Sequence, residues 1–499
     1  MRRARILLLL LLAAPVHVEP AFDTALARSV FAAALAFIVP RALDPVSVPE
    51  LTLWGLRGLS ALDPALVLER DGGLRLSAPG RRPVVLPVPE STAPDAWARL
   101  AAALSEAGWA ASPSVRRAGT EGVIQAVFDA MLPHLDPYSR YVPPAEAAEQ
   151  EEKRAGAAGV GLVLGEDSAG IVVAHAISDG PAARAGVRDG ERLLAVNGQA
   201  TFGAAPAEVS AWLAGPEGSE VTLEIQGGRG PRRLTLTRAE TPEENVFASR
   251  TDAALVVRVA SFTDRTAERL GSVLEANVDG RGAPAGIVLD LRGNRGGLVR
   301  QAVAAASVLL PRGVVATTQG RDPAANLVWS STGERVGADR ALVVLVDAQT
   351  ASAAEILAAA LADRQRAVVV GSVTAGKGLV QTITRLPDGA ELALSWSRVV
   401  APRGWPIQGL GVLPQICTSL GEPALSRQLG ALASGVQPMA PVLARARGAR
   451  VPVPPAEVAA IRDVCPPAPG TKLDLRVALR LLAEPNAYAA ALLGARGEP

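Results

Sequence analysis

The chain has 499 residues, and its 50 Lys+Arg against 49 Asp+Glu leave a formal net charge of +1. That balance excludes the basic excess of a nucleic-acid binder. Three histidines (His17, His134, His175) and two cysteines (Cys417, Cys465) exclude a zinc finger, an iron–sulfur cluster and a His-rich metal site. With 49% hydrophobic and 20% charged residues the chain is globular, and its length is a prior for three or four domains.

At the N-terminus Arg2, Arg3 and Arg5 precede the apolar run Ile6–Ala14. This is the layout of a secretory leader, and the run is too short to span a bilayer. We therefore read 1–21 as a signal peptide or leader and expect a periplasmic or secreted protein, touching membrane only if the leader is uncleaved. In an oxidising compartment Cys417 and Cys465 could pair; two buried thiols are the alternative.

Residues 22–155 form a mainly helical region. The apolar Val30–Val39 reads as a core helix, and Asp95–Ala107 and Thr120–Leu132 are helical between Pro-rich connectors. Asp136–Pro144 is rich in turns, and Ala145–Arg154 is a short charged helix or linker. Over 156–242, short Val/Leu/Ile runs alternate with Gly and Pro turns, including Asp189-Gly190 and Asn197-Gly198, which predicts a small β domain. From 243 to 416 strands alternate with helices: Ala254–Val259 then Thr266–Asn277, Gly286–Leu291 then Leu298–Leu309, Ala341–Asp347 then Ala353–Asp363, and Ala367–Val370 before a glycine loop. This pattern predicts a largely parallel sheet with functional groups at strand C-terminal ends, followed by an antiparallel section at Leu392–Val399. Residues 417–499 are a Pro-rich tail region that becomes helical at Asp474–Leu493.

Three segments of the α/β region carry candidate chemistry. In residues 341–363 an apolar strand enters a turn of small residues and then a helix, with Ser352 at the turn and the Ala353 amide at the helix start, where it can stabilise an oxyanion. Taken alone the segment favours a simpler reading, because Ser352-Ala-Ala-Glu355 also fits a capping box. In 368–381 the run Gly371–Gly378 is one residue short of a phosphate-binding loop: Gly378 stands where Ser or Thr is needed, and β formers follow where a helix should. Lysine is otherwise nearly absent, occurring only as Lys153, Lys377 and Lys472. Lys377 therefore reads as a position where arginine fails, such as a general base that must give up its proton; an ordinary exposed lysine is the alternative. The region holds no histidine, so a Ser–His–Asp triad is excluded while a Ser–Lys dyad is not. In 289–298 another strand ends in a glycine-rich turn, where Gly296 and Gly297 could supply the second oxyanion donor or merely close a tight turn.

Together these segments resemble the C-terminal processing peptidases, or tail-specific serine proteases. Leu291–Gly297 is similar to the family's L-R-x-N-x-G-G strand end, Thr350–Glu355 to its nucleophile turn, and Gly376–Gln381 to its G-K-G-x-x-Q stretch. Residues 135–144 and 179–199 are similar to its lead-in segment and its PDZ domain. The resemblance covers roughly 120–416, departing at Arg295 (usually proline) and Ala354 (usually serine).

It implies an α/β catalytic domain with a mixed, largely parallel sheet of ClpP/crotonase-like type. A mostly-β PDZ domain would be inserted in or precede that domain, with a helical N-terminal region and a small tail. It further implies a serine endopeptidase, with Ser352 as nucleophile, Lys377 as general base and Gln381 supporting the lysine. Amides at Ala353, Gly297 and Gly296 would form the oxyanion hole. Gly159-Val160-Gly161-Leu162 would hold the free C-terminus of a protein or peptide substrate. No cofactor, metal or nucleic acid is implied. The alternative is a catalytically degenerate PDZ scaffold.

Overall fold

The computed structural model describes residues 21–493, apart from 71, 155–157, 169, 178–179, 229, 240–244, 252 and 279–282. Residues 1–20 of the expected leader, with His17, lie outside the described residues. The chain divides into two units: residues 1–147 with 382–395, and 148–381 with 396–499.

The first unit begins with α1 (Thr24–Arg41), capped by Asp23. It is long and apolar enough to cross a membrane, but Ala27, Val30, Phe31, Ala34, Leu35 and Ile38 recur at helical spacing and are buried, so this is the core helix expected from Val30–Val39. Ser47 and Glu50 form a capping box at α2 (Val48–Leu56), which α3 (Gly58–Leu62) follows. A three-stranded antiparallel sheet, β1 (Val67–Arg70), β2 (Leu74–Ser77) and β3 (Val84–Leu86), was not apparent in the Pro-rich sequence. Then come α4 (Pro94–Ala111) and α5 (Pro113–Met131), the latter kinked at Gly119 with φ +67°. Phe128 packs edge-on against Phe31 and stacks on Tyr141 of β4 (Arg140–Val142). His134 stacks on Trp54. Residues 391–393 return to pair with β4.

Helix α6 (Pro144–Arg154) leads to a β domain of β5 (Leu162–Asp167), β6 (Gly170–Ala176), α7 (Pro181–Arg184), β7 (Arg192–Val196), β8 (Gln199–Ala200), α8 (Pro206–Leu213), β9 (Glu220–Gly227) and β10 (Gly230–Thr237). The sheet order is β10-β9-β7-β6-β5, so β5 is an edge strand. Asn197 (φ +49°) and Gly198 (φ +81°) make the tight β7–β8 turn that the Asn-Gly pair predicts. Val173, Leu193, Val209, Leu223 and Ile225 are among the side chains closing the small core.

The α/β region contains β11 (Val246–Arg250), β12 (Ala254–Val259), α9 (Thr266–Val278), β13 (Gly286–Asp290), α10 (Val299–Leu309), β14 (Gly313–Gln319), β15 (Val328–Ser331), β16 (Ala341–Val346), α11 (Ala353–Asp363), β17 (Val368–Gly371), β18 (Leu379–Arg385), β19 (Glu391–Val400) and β20 (Ile416–Cys417). The main sheet runs β11-β12-β13-β16-β17-β20, parallel except for β11. A second, antiparallel sheet is ordered β15-β14-β19-β18.

Strands apolar on both faces need cover on both faces. Leu255, Val257, Ile287, Leu289, Leu342, Val344 and Val369 pack toward α9, α10 and α11. The alternate residues Ala254, Val256, Val288, Val343, Leu345, Val368 and Val370 face the other way. Their cover comes from residues 417–499, which the sequence presented as a tail: α12 (Glu422–Ala433), α15 (Lys472–Ala483) and α16 (Pro485–Leu493) form the second helical layer. Between them lie α13 (Ala440–Gly448) and α14 (Pro455–Arg462). On α13, Arg447 pairs with buried Asp363 at 3.1 Å.

Cys417 and Cys465 are bridged across a separation of 48 residues, resolving the two sequence alternatives in favour of the disulfide. Closing a loop of that length constrains the unfolded chain by about 4 kcal/mol. A Cys417→Ser/Cys465→Ser double variant is expected to lose about that much in urea unfolding without reductant, and an unchanged midpoint would contradict it.

Candidate active site

Strands β13, β16 and β17 are adjacent and parallel, with Leu289 opposite Val344 and Val344 opposite Val369. Their C-terminal ends therefore open on one edge, and each carries one of the three motifs: the turn 291–297, the turn 347–352 and the loop 372–378.

Ser352 stands half-buried at the β16–α11 turn with φ +57° and ψ −120°, a conformation that a non-glycine residue adopts only when its surroundings enforce it. The surroundings do so. Asp347 Oδ1 accepts the N–H groups of Gly293, Gln349 and Thr350, each at 3.0 Å. Thr350 Oγ1 donates to Leu291 O (3.0 Å), and Ala351 N–H to Asn294 O (2.9 Å). An ordinary N-cap residue is extended. Part of the capping-box reading survives, since Glu355 Oε2 accepts the Ser352 N–H at 2.8 Å. The backbone at Ser352 is instead that of a sharp strand-to-helix elbow, which projects a hydroxyl.

Glu355 is fully buried. Besides Ser352, its Oε2 accepts Lys377 N–H (2.8 Å), while its Oε1 accepts Gly376 N–H (2.7 Å) and the Thr374 hydroxyl. Burial raises the Glu355 pKa, and the four donors work against that rise. Thr374 Oγ1 also receives the Val412 N–H (2.7 Å), so its own proton points at Glu355. Four donors around two oxygens leave no acceptor for a carboxylic proton, and the site is built for the ionised form. One carboxylate oxygen thus binds the backbone N–H of both Ser352 and Lys377, residues separated by 25 positions. The sequence showed Glu355 only as a cap; a lone acid in an Ala-rich helix start was the available signal.

The three proposed oxyanion amides differ. Ala353 N–H, at the first position of α11, and the exposed Gly297 N–H have no intramolecular acceptor among the described residues. Gly296 N–H is occupied by Asn294 Oδ1 at 2.8 Å and does not join them. Gly296 serves close approach instead: a Cβ there would lie 2.8 Å from both Ala351 O and Ser352 Cβ. Sequence reasoning also missed Asn294, which is fully buried and donates to Val259 O at 2.8 Å.

Lys377 is half-buried on a loop packed between backbones. Gly376 O accepts Gly409 N–H, Gly378 N–H reaches Gln408 Oε1, and Gly378 O accepts Val399 N–H, at 2.9, 2.9 and 2.8 Å. A Cβ on Gly378 would lie 2.3 Å from Gln408 N, so only glycine fits. Strand β18 follows where a phosphate-binding loop would start a helix, and Gln381 sits half-buried on it.

In the β domain, Gly159 to Leu162 line a groove of about 200 Å³ between the edge strand β5 and α8, with Ile177, Ser210 and Leu213. Gly159 N–H is spent on Ala239 O (3.0 Å), and the carbonyls of Val160 and Gly161 accept Ala182 and Ile177. His175 bonds Asp189 at 3.0 Å.

A parallel α/β sheet, a strained serine elbow backed by a helix N-terminus, and a PDZ-type β domain define a serine-type peptidase. The model of peptidase family S41 matches residues 254–418, and that of the PDZ domain matches 172–227. The chain is 34% identical over 361 residues to the chloroplastic C-terminal processing peptidase of Tetradesmus obliquus, covering 64% of this chain and 75% of that one. It is 32% identical over 306 residues to a probable CtpA-like serine protease of Staphylococcus aureus, covering 60% and 61%. Among solved structures, the photosystem II D1 C-terminal processing protease is 29% identical, with a TM-score of 0.38, covering 76% of this chain and 97% of that one. The chain belongs to the C-terminal processing peptidases of family S41, whose substrates are proteins.

Glu355→Gln presents one oxygen to four donors, so one of the two donor pairs, Ser352 and Lys377 N–H or Gly376 N–H and the Thr374 hydroxyl, loses its acceptor. The variant is expected to stay folded by circular dichroism and lose on the order of 100-fold in kcat through displaced loops. Wild-type kcat would show that the carboxylate does not set the site.

Proposed function

We propose that the protein is an exported endopeptidase that cleaves protein substrates near their C-termini through a Ser352–Lys377 dyad. The observation that carries this reading is the Ser352 elbow, forced to φ +57° near two amides that have no intramolecular acceptor among the described residues and tied by Glu355 to the backbone of Lys377. Lys377, as general base, takes the Ser352 hydroxyl proton as Oγ attacks the scissile carbonyl carbon. Ala353 and Gly297 N–H groups stabilise the oxyanion, helped by the α11 dipole. The C–N bond then breaks, the lysine returns its proton to the leaving amine, and water deprotonated by the same lysine releases the acyl group. Gln381 orients Lys377.

The PDZ groove supplies the C-terminal preference. Its edge strand β5 offers an edge for strand addition, and the groove lined by Gly159 to Leu162 supports a reading in which the amides of Val160 to Leu162 meet a terminal carboxylate. The Arg-led apolar run and the disulfide together support export.

Ser352→Ala and Lys377→Arg are each expected to fold yet lose about a thousandfold or more in initial rate on an unstructured peptide. Arginine keeps the charge but cannot act as a base. A folded Lys377→Arg enzyme with more than about a tenth of wild-type rate, less than the usual contribution of base catalysis, would sink the dyad.

Amidating a good substrate's C-terminus removes the groove's anionic partner and is expected to weaken turnover; equal turnover of acid and amide argues against terminus recognition.

A further inference from the structure

Arg462, the last residue of α14, lies outside the 254–418 family match and is half-buried. Its Nη1 donates to three backbone carbonyls, Thr374 O at 3.0 Å, Leu410 O at 3.0 Å and Gly409 O at 3.2 Å. One nitrogen with two protons thus joins the loop bearing Lys377 to the neighbouring loop around Gly409.

The backbone is shaped around this guanidinium. Gly411 (φ +69°) could not carry a Cβ, which would lie 2.7 Å from Thr374 O and 2.9 Å from Arg462 Nη1. Gly376 (φ +78°) is also left-handed and closely packed, with Gly409 O 3.0 Å from where a Cβ would lie. Thr374 is the link inward. Its carbonyl holds Arg462, and its hydroxyl donates to Glu355, the carboxylate that also binds Ser352 N–H and Lys377 N–H.

Arg462 is itself fixed from two sides. Cys465, three residues on, is bridged to Cys417 in β20, the strand beside β17. Further along, Ala468 O accepts Ala348 N–H at 3.0 Å and the Ser372 hydroxyl at 2.8 Å, while Gly470 N–H reaches Asp347 Oδ2 at 3.1 Å. Residues 462–470 therefore cross both the serine turn and the lysine loop. Burial lowers the Arg462 pKa while the negative Glu355 works in the opposite direction. The cation thus lies in the field of the buried carboxylate and against the three carbonyl dipoles.

We propose that Arg462 is a positioning residue of the peptidase, fixing the Lys377 loop against the Ser352 turn through Thr374 and Glu355 without touching substrate. This inference rests on the dyad reading above. It assigns to the C-terminal segment a part in turnover in addition to its part in covering the sheet.

The test compares Arg462→Met, Arg462→Gln, Arg462→Lys and Arg462→Ala in the full chain with its disulfide formed. A positioning role predicts folded Met and Gln variants with kcat down about 30- to 100-fold and KM within about twofold. Arg462→Lys, which keeps a charged donor, should recover to within about tenfold of wild type. Methylguanidinium added to Arg462→Ala should raise kcat at least about fivefold. Folded Met and Gln variants with kcat within about threefold of wild type, or with the loss confined to KM, overturn the proposal. Failure of both to fold assigns Arg462 to stability alone and overturns it equally. Lys377→Arg assayed in parallel separates the two readings. An active Lys377→Arg removes the dyad and this inference with it, whereas an inactive one beside a full-rate Arg462→Met removes only the positioning role.

Discussion

Parallel pairing of β13, β16 and β17 is the constraint from which the site follows. Parallel strands in register end on the same edge of the sheet, and each of these three leaves that edge through a turn of small residues. The Gly296-Gly297 turn, Ser352 and Lys377 are thereby brought together although Gly297 and Lys377 are 80 residues apart in the chain. Hydrophobic burial of the two sheet faces holds this register, because a slip of one residue would exchange the Leu342-Val344-Val346 face for the Val343-Leu345 face.

Within that frame a single buried charge sets the finer geometry. Placing an ionised carboxylate in a fully buried position is costly, and four converging donors offset the cost at Glu355. An apolar side chain of similar size would pack there but would leave three backbone N–H groups without an acceptor. The carboxylate therefore does what packing alone cannot: it holds a strained turn and a separate loop to the same two atoms. Asp347 and Asn294 repeat the device on the other side of Ser352, one accepting four backbone amides, three of them on Oδ1, and the other joining Val259, Ala351 and Gly296.

The segment after Cys417 has two structural consequences. Its helices α12, α15 and α16 cover the second face of the main sheet, and the chain between α14 and α15 passes over the turns that bear Ser352 and Lys377. The disulfide lies where these meet, joining β20 to the stretch just after Arg462. In the β domain the exposed edge of β5 is left open beside a groove, where a structural domain would protect such an edge.

The sequence alone determined the order of strands and helices from 254 to 371, because fully apolar strands and helical periodicity are local properties of the chain. It also singled out Ser352 and Lys377, the latter because a chain that uses arginine almost everywhere else retains a lysine there. The β1–β3 sheet was hidden, since short strands amid Pro and Gly carry little period-2 signal, and their pairing partners are chosen by the fold. The covering role of residues 417–499 was implicit in strands apolar on both faces, yet which helices supply the cover depends on contacts far apart in sequence. The same is true at the site. Nothing local distinguishes Gly296, whose amide is spent on Asn294, from Gly297, whose amide has no intramolecular acceptor among the described residues, or marks Glu355 as more than a helix cap. Those distinctions depend on which backbone groups converge on which acceptor. Only the tertiary structure decides that, because hydrogen bonds between strand ends form between segments that the sheet, not the chain, makes neighbours.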